Sequence, residues 1–359
     1  MRHTLFLIIL LALTQSVPAA SDIRFPRGYV CYKTSEYIKI DGKLNDAAWR
    51  KAPWTDYFID IRGTNKPKPL YLTRSKMLWD DKYLYIGAYL EEPYVWAMRT
   101  KHDSFLYMEN CFEVFIDPDG DNQMYYEIEI NAFNAIWDLY MTKPYRDDGW
   151  NDGKFELPGI KHAVHIDGKL NSFNQKDKGW SVEYAIPWKA LKVYANRPSP
   201  PSDGDQWRVN LLRIEHHITF NPKKSDKLPN LPIGMPENIR ENFGSWTPLG
   251  AIDAHKPELF GYVQFSSGKP GTVKFRRDPD QEIRMYLMRI YFAEKTFFKR
   301  NNVWTTSFSE LGLKPDNRFA DSLKFELTDD GFVASIDSIS NPGKRLNIRK
   351  DSRLWMEAK

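Results

Sequence analysis

Glu113, Glu127, Glu129 and Asn131 are the residues whose types and spacing can do chemistry in this chain. In 112–117 the apolar Phe112, Val114 and Ile116 alternate with Glu113, Phe115 and Asp117; in 126–132, Tyr126, Ile128 and Ile130 alternate with Glu127, Glu129 and Asn131. Alternation with a period of two predicts half-buried strands, and the DPDGDNQ between them carries the residues of tight turns. Paired as a hairpin, the strands put the apolar set on one face and the carboxylates, the amide and Phe115 on the other. Such a face can exchange paired hydrogen bonds with vicinal hydroxyls while a ring covers a sugar's apolar side. It is equally what a solvated outer sheet face looks like. Glycoside hydrolysis needs an acid and a base or nucleophile about 5–10 Å apart across the scissile bond. Glu113 and Glu127 can meet that spacing, as can many pairs on a sheet, and no second catalytic signature accompanies them. Trp96, Trp137 and Trp150 fall in or near loops, where a ring either anchors the loop or offers its face to a ligand.

Other constellations carry less. Asp117, Asp119 and Asp121 alternate as calcium-binding oxygens do, but Ile128 stands where an EF-hand loop needs a bidentate Glu, and a plain hairpin turn accounts for them. His162 and His165, like His216 and His217, point to opposite faces if they lie in strands, which suits surface or structural histidines better than a metal pair. Cys31 and Cys111 are the only cysteines. An oxidising compartment would permit a bridge between them, and two buried thiols are the alternative. There is no Gly-rich phosphate loop, no Ser nucleophile elbow and no zinc cysteine framework.

The elements that must position these residues are mostly short strands. Residues 1–20 form a signal peptide, with Arg2 and His3 before LFLIILLAL and small residues at 17–20, which places the mature protein in the periplasm or outside the cell. No later stretch is long and apolar enough to span a bilayer. A net charge of +4 on 42.1 kDa, without a basic stripe, argues against nucleic acid. Roughly nine alternating strands with regular turn signals predict an antiparallel β-sandwich over 21–267, with a short helical turn at 47–49 capped by Asn45 or Asp46 and another after Pro187. At 278–359 the character changes to a small α+β unit. Asp278 is its cap, Ile283, Leu287, Ile290 and Phe297 recur at helical spacing, and strands follow at 323–327, 332–336 and 345–348. This unit is either an appendage or a docking element for a protein partner.

Seven stretches together resemble the family 9-like carbohydrate-binding proteins of the DOMON-like group: IDGKLNDAAW (40–49), MLWDDKYLYIGAYLEEP (77–93), ENCFEVFIDPDGD (109–121), YYEIEINAFNAIWD (125–138), GWSVEYAIPWKAL (179–191), GDQWRVNLLRIE (204–215) and HKPELFGYVQF (255–265). The resemblance implies a jelly-roll-like sandwich that binds saccharides non-catalytically within a xylan- or cellulose-degrading system. It also implies that Glu113 bonds sugar hydroxyls and that Tyr107 stands where one of two clamping Trp rings is expected. The second clamp position falls near Ala254 and His255, where no Trp occurs. Glu129 stands where an Arg is expected, and Asn131 fits. Two alternatives stay open: a glycoside hydrolase, and a haem-binding sandwich using Met108, Met141 or His102 as ligands.

Overall fold

The computed structural model describes residues 25–172, 174–216 and 242–359; the stretch 1–20 expected to be a signal peptide and His217 lie outside the described residues. In chain order the sandwich contains β1 (Gly28–Lys33), α1 (Ala47–Lys51), β2 (Ile59–Asp60), β3 (Thr73–Trp79), β4 (Tyr83–Glu91), β5 (Cys111–Asp117), β6 (Tyr125–Asn131), β7 (Ile136–Met141), β8 (Asn151–Asp152), β9 (Lys161–Asp167), β10 (Gly179–Pro187), α2 (Trp188–Leu191), β11 (Gln206–Ile214), β12 (Gly244–Ser245) and β13 (Gly261–Ser266). The strands form one continuous ladder in the order β8-β7-β6-β5-β11-β13-β1-β3-β4-β10-β9, with β12 and β2 branching from β11.

This ladder curls so that its two ends face each other. The apolar set of the opening hairpin, Phe112, Val114, Ile116, Tyr126, Ile128 and Ile130, shares one buried core with Leu84, Ile86, Val182, Tyr184 and Ile186 from the other end. The rings of Phe112 and Tyr184 stack across it at 6.4 Å. Burying each such side chain is worth about 1.5–3 kcal/mol, which is why the alternation fixes which face turns inward. Where the expectation was of antiparallel pairing throughout, β1 instead runs parallel to both β13 and β3. It joins the two halves of the sandwich, and its neighbours lie too far along the chain to be hairpin partners.

Two of the quoted motifs form one joint. The Asp41-Gly42 turn and Trp49 are held by Glu183 of β10, whose Oε2 accepts the backbone N–H groups of Asp41 and Gly42 at 2.9 and 2.7 Å and whose Oε1 accepts the Trp49 indole N–H at 2.6 Å. Gly42 has φ +83°, and a Cβ there would lie 2.4 Å from the His165 nitrogen, so only glycine fits. Asp46 is the N-cap residue of α1 but does not cap with its side chain; its carboxylate takes the Lys39 N–H at 3.0 Å.

Cys31 and Cys111 are both buried and free. Cys31 lies in the inner core and Cys111 in a second apolar cluster on the outer side of β5, so the sheet itself stands between the two thiols.

The C-terminal unit is a helix, α3 (Gln281–Asn301), on a four-stranded antiparallel sheet of β14 (Lys324–Thr328), β15 (Gly331–Asp337), β16 (Lys344–Arg349) and β17 (Leu354–Ala358). Ile283, Leu287 and Ile290 pack on Phe332, Ile336, Leu346 and Ile348. The fourth strand has no counterpart in the sequence reading, and the residue before the helix is Asp280 rather than Asp278. Asp280 accepts the Ser338 hydroxyl and the Ile339 N–H, both at 2.6 Å, tying the helix start to the sheet. The unit packs on the turn between β5 and β6: Asn122 Nδ2 donates to the Ser352 carbonyl at 2.9 Å, Arg284 to the Gly120 carbonyl at 3.0 Å, and Arg353 pairs with Asp121 at 3.2 Å. Among the described residues no helix is long and apolar enough to cross a membrane.

Candidate functional site

The hairpin pairs as its alternation predicts, with Glu113 opposite Glu129, Phe115 opposite Glu127 and Cys111 opposite Asn131. The adjoining strands extend these rows. Leu212, Glu113, Glu129 and Trp137 line up across β11, β5, β6 and β7, and Phe115, Glu127 and Leu139 form the row beside them. The expected open platform is not open. Ile61, Leu106, Phe243, Leu249 and Phe260 cover this face with a second apolar cluster, leaving Glu113 2%, Glu127 6% and Glu129 1% exposed. Alternation states which residues share a face; whether loops then cover that face depends on contacts distant in the chain.

Three carboxyls in one desolvated space cannot all ionise at neutral pH. Burial pushes Glu113 up to about 7. Burial and then repulsion from the neighbouring carboxylates push Glu127 and Glu129 well above the usual range. Glu127 and Glu129 hydrogen-bond to each other, which requires a proton between them. Glu129 Oε2 also accepts the Tyr107 backbone N–H at 2.8 Å, and the Cys111 thiol lies 3.5 Å from Glu113 Oε1. His255 approaches Glu127 at 4.0 Å, and its Nδ1 lies 3.0 Å from the Tyr125 hydroxyl; burial lowers its pKa to about 4 and keeps it neutral. The cluster is thus a store of acids able to donate as well as accept hydrogen bonds. Glu127 and Glu129 bond each other rather than standing on either side of a gap.

Rings rim this cluster. Phe105, Tyr107 and Trp137 meet pairwise with centroids 5.2–6.0 Å apart. Tyr107 is 39% exposed, whereas Trp137 is buried beneath it. On the far side Tyr145, half exposed, stands edge-on to His255 at 4.6 Å, and its hydroxyl accepts from Asn151 at 2.7 Å. The position where a second clamp ring is missing from the sequence is therefore backed by His255 and faced by Tyr145, which comes from a different loop. Asn131 does not face a ligand. Its Nδ2 donates to the Arg99 carbonyl and to Glu109, and its Oδ1 accepts the Phe133 and Ala135 N–H groups. Glu109, fully buried, accepts in turn from the Met98 and Arg99 N–H groups. Asn131 and Glu109 hold the 98–109 loop that carries Tyr107.

Residues 40–201, which include all of β5, β6 and β7, match the model of the carbohydrate family 9 binding domain-like family. Over this stretch the chain is similar to that family. The chain is 26% identical over 154 residues to exoglucanase XynX of Acetivibrio thermocellus, an alignment spanning 43% of this chain and 12% of the relative. It is 27% identical over 152 residues to endo-1,4-β-xylanase A of Thermoanaerobacterium saccharolyticum, spanning 42% and 11%. The chain thus covers little more than a tenth of these relatives' length. Among solved structures, a family 9 carbohydrate-binding module from Caldicellulosiruptor kristjanssonii in complex with cellotriose aligns over 70% of this chain and all of its own, at 15% identity and a TM-score of 0.41; at that similarity no geometry is carried over.

The remaining candidates of the family 9-like domain fall away from the rim. Trp96 is fully buried and presents no face. Trp150 is 56% exposed, but it packs on Tyr140, whose side chain joins the inner core on the opposite side of β7 from Trp137. Asp117, Asp119 and Asp121 do converge, with oxygens within 4.8 Å of one another, a donor set that suits a hard cation such as calcium. Asp117 is already occupied by the Gly120 and Asn122 N–H groups, and Asp121 by Gln123 and Arg353. Met141 is buried in the second cluster, Met108 lies exposed against Arg99, and His102 faces carboxylates, so the three do not converge as haem ligands. His162 bonds Asn134, and His216 lies 3.1 Å from the Tyr107 carbonyl. Phe105, Glu109 and Tyr145 are not singled out by the sequence reading, and His255 enters it only as the place where a second clamp Trp is missing. The only signal for the rings was their place in loops beside strands already marked.

Proposed function

We propose that this protein, after export, binds saccharides without cleaving them, as part of a machinery that degrades xylan- or cellulose-like polysaccharide. The observation that carries the proposal is the half-exposed pair Tyr107 and Tyr145 rimming the buried Glu113–Glu127–Glu129 cluster within a family 9-like domain. Rings of this kind cover the apolar face of a pyranose, and acids that both donate and accept can serve either sense of a hydroxyl hydrogen bond. Relatives whose aligned part is this domain are named as an exoglucanase and a xylanase, which favours plant cell-wall glucans and xylans as the ligand class. Because the carboxyls are buried, the ligand enters by displacing or parting the rim.

The test is calorimetric titration and affinity electrophoresis with cello- and xylo-oligosaccharides, soluble xylan and cellulose. Saturable binding that Tyr107→Ala weakens is the expected result. No binding to any of these glycans at millimolar concentration overturns the proposal. Release of reducing sugar that Glu113→Gln abolishes would replace binding with hydrolysis.

A further inference from the structure

His102, Asp103, Asp138 and Glu156 meet on the opposite side of β7 from Trp137. The His102 Nε2 lies 2.9 Å from Glu156 Oε1, 3.3 Å from Asp103 Oδ1 and 3.8 Å from Asp138 Oδ1. Asp138 is 1% exposed, and its position is fixed because its other oxygen accepts the Leu157 N–H. The Asp103 N–H donates to the Ile136 carbonyl at 3.1 Å, which sets the loop against β7. Yet Asp103 Oδ1 and Asp138 Oδ1 are both buried with no hydrogen-bond partner.

A protonated His102 cannot resolve this. Its Nε2 offers one N–H, which goes to Glu156, and the other two oxygens stay unpaired at a cost of about 1–3 kcal/mol each or more. A divalent ion bound by His102, Asp103 and Asp138, whose ligand atoms all lie within 4.8 Å of one another, satisfies both orphaned oxygens together. Zinc bonds of 2.0–2.1 Å in a tetrahedron place ligand atoms roughly 3.3 Å apart, close to the 3.3 and 3.8 Å from Nε2 to the two aspartate oxygens. One imidazole nitrogen with two carboxylates is a borderline donor set that leaves a position for water and suits zinc, whereas calcium takes six to eight oxygens.

We propose that His102, Asp103 and Asp138 form a zinc site, with Glu156 beside it. The ion ties the 102–103 loop to strand β7. This site is distinct from the Asp117–Asp119–Asp121 turn and does not depend on what the rim of rings binds.

The test is calorimetric titration of the full chain, without an affinity tag, with zinc chloride and with calcium chloride. We expect one equivalent of zinc with a dissociation constant below about 10 µM, a rise in melting temperature on addition, and no displacement by millimolar calcium. His102 and Asp103 have partly exposed side chains, so His102→Ala and Asp103→Asn keep the fold, which their metal-free melting curves verify. Each should weaken zinc binding at least tenfold. Absence of zinc binding at 100 µM, or equal binding in both variants, overturns the proposal; displacement of zinc by equimolar calcium overturns the assignment of a nitrogen ligand.

Discussion

Tyr291 on α3 donates its hydroxyl to Oδ1 of Asp147 at 2.6 Å, and Ser352 closes on Oδ2 at 2.7 Å. Lys295 lies 3.1 Å from the same carboxylate, and Arg146, beside it in sequence, pairs with Glu258 at 2.9 Å. Asp147 is buried two residues from Tyr145, so the C-terminal unit reaches through it to one side of the ring-lined rim. The unit is thereby a buttress of the sandwich as well as a separate small sheet.

Tyr291→Phe removes one donor from a buried carboxylate and leaves its oxygen short of a partner. The expected loss is about 1–3 kcal/mol, a fall of roughly 2–4 °C in melting temperature per kcal/mol for a body of this size. Affinity for a bound oligosaccharide should fall as well, because the Tyr145 loop loses its anchor. Calorimetric melting and titration check both. A melting temperature unchanged within error would mean that Lys295 and Ser352 alone hold Asp147.

The acid cluster predicts the pH dependence of stability. Glu113 has a folded pKa pushed up to about 7, above the roughly 4.3 of an unfolded Glu. Around it stand Cys111 on its own strand, Glu127 and Glu129 on β6, the Tyr107 loop above, Tyr184 from β10 and His255 beyond Glu127; burial raises Cys111, Glu127, Glu129 and Tyr184 and lowers the neutral His255. The folded protein therefore binds more protons than the unfolded chain between about pH 4.5 and 7. The stabilisation is fully present below that window and is lost as pH rises through it. Glu113→Gln cannot lose it. The variant should be more stable than the parent at pH 8, on the order of 1–3 kcal/mol, and equal or less stable at pH 4. Denaturant titrations at the two pH values read the difference, and the same offset at both would refute it.

Ring truncation separates the two sides of the rim. Tyr107→Ala removes an exposed ring that rests on Trp137, and Tyr145→Ala one that rests on His255. Loss of one aromatic contact to a sugar should cost about 0.5–1.5 kcal/mol beyond buried area, or a roughly two- to twelvefold weaker dissociation constant. Tyr107→Phe should bind nearly as the parent does if stacking, and not the hydroxyl, carries the contact. Trp150→Ala, on the other side of β7, should leave affinity unchanged.

Strand identity was legible because side chains facing a sheet core must alternate, and the hairpin at 111–131 shows that directly. The helical turn after Pro187 and the spacing of Ile283, Leu287 and Ile290 were legible for the same local reason. The parallel placement of β1, the fourth strand of the C-terminal sheet and the cover over Glu113 and Glu129 were not. Each depends on residues distant in sequence meeting in space, and no local period encodes that. The site divides in the same way. Glu113, Glu129, Tyr107 and Trp137 could be named because strand alternation and motif order mark them. Asn131 was named for its amide, yet spends it on Glu109 and the backbone. Tyr145 and His255 come from separate loops whose meeting no motif announces.

Glu183 gives the sharpest separation of framework from site within the family 9-like domain. Its carboxylate serves three N–H donors at 2.6–2.9 Å and is itself fully buried. Glu183→Gln keeps the shape but supplies one acceptor oxygen and an NH2. If the oxygen keeps the Asp41 and Gly42 backbone donors, the NH2 faces the Trp49 indole N–H, and two donors oppose each other without a partner. The expected cost is about 2–4 kcal/mol, from the lost charge-assisted bond and the stranded indole. Urea unfolding should show a lower midpoint with an unchanged slope. Oligosaccharide affinity of the folded fraction should match the parent, because Glu183 lies on β10 and pairs across the ladder with Gly87 and Ala163, away from Tyr107 and Tyr145. An affinity loss larger than the unfolded fraction explains would place this joint within the binding machinery.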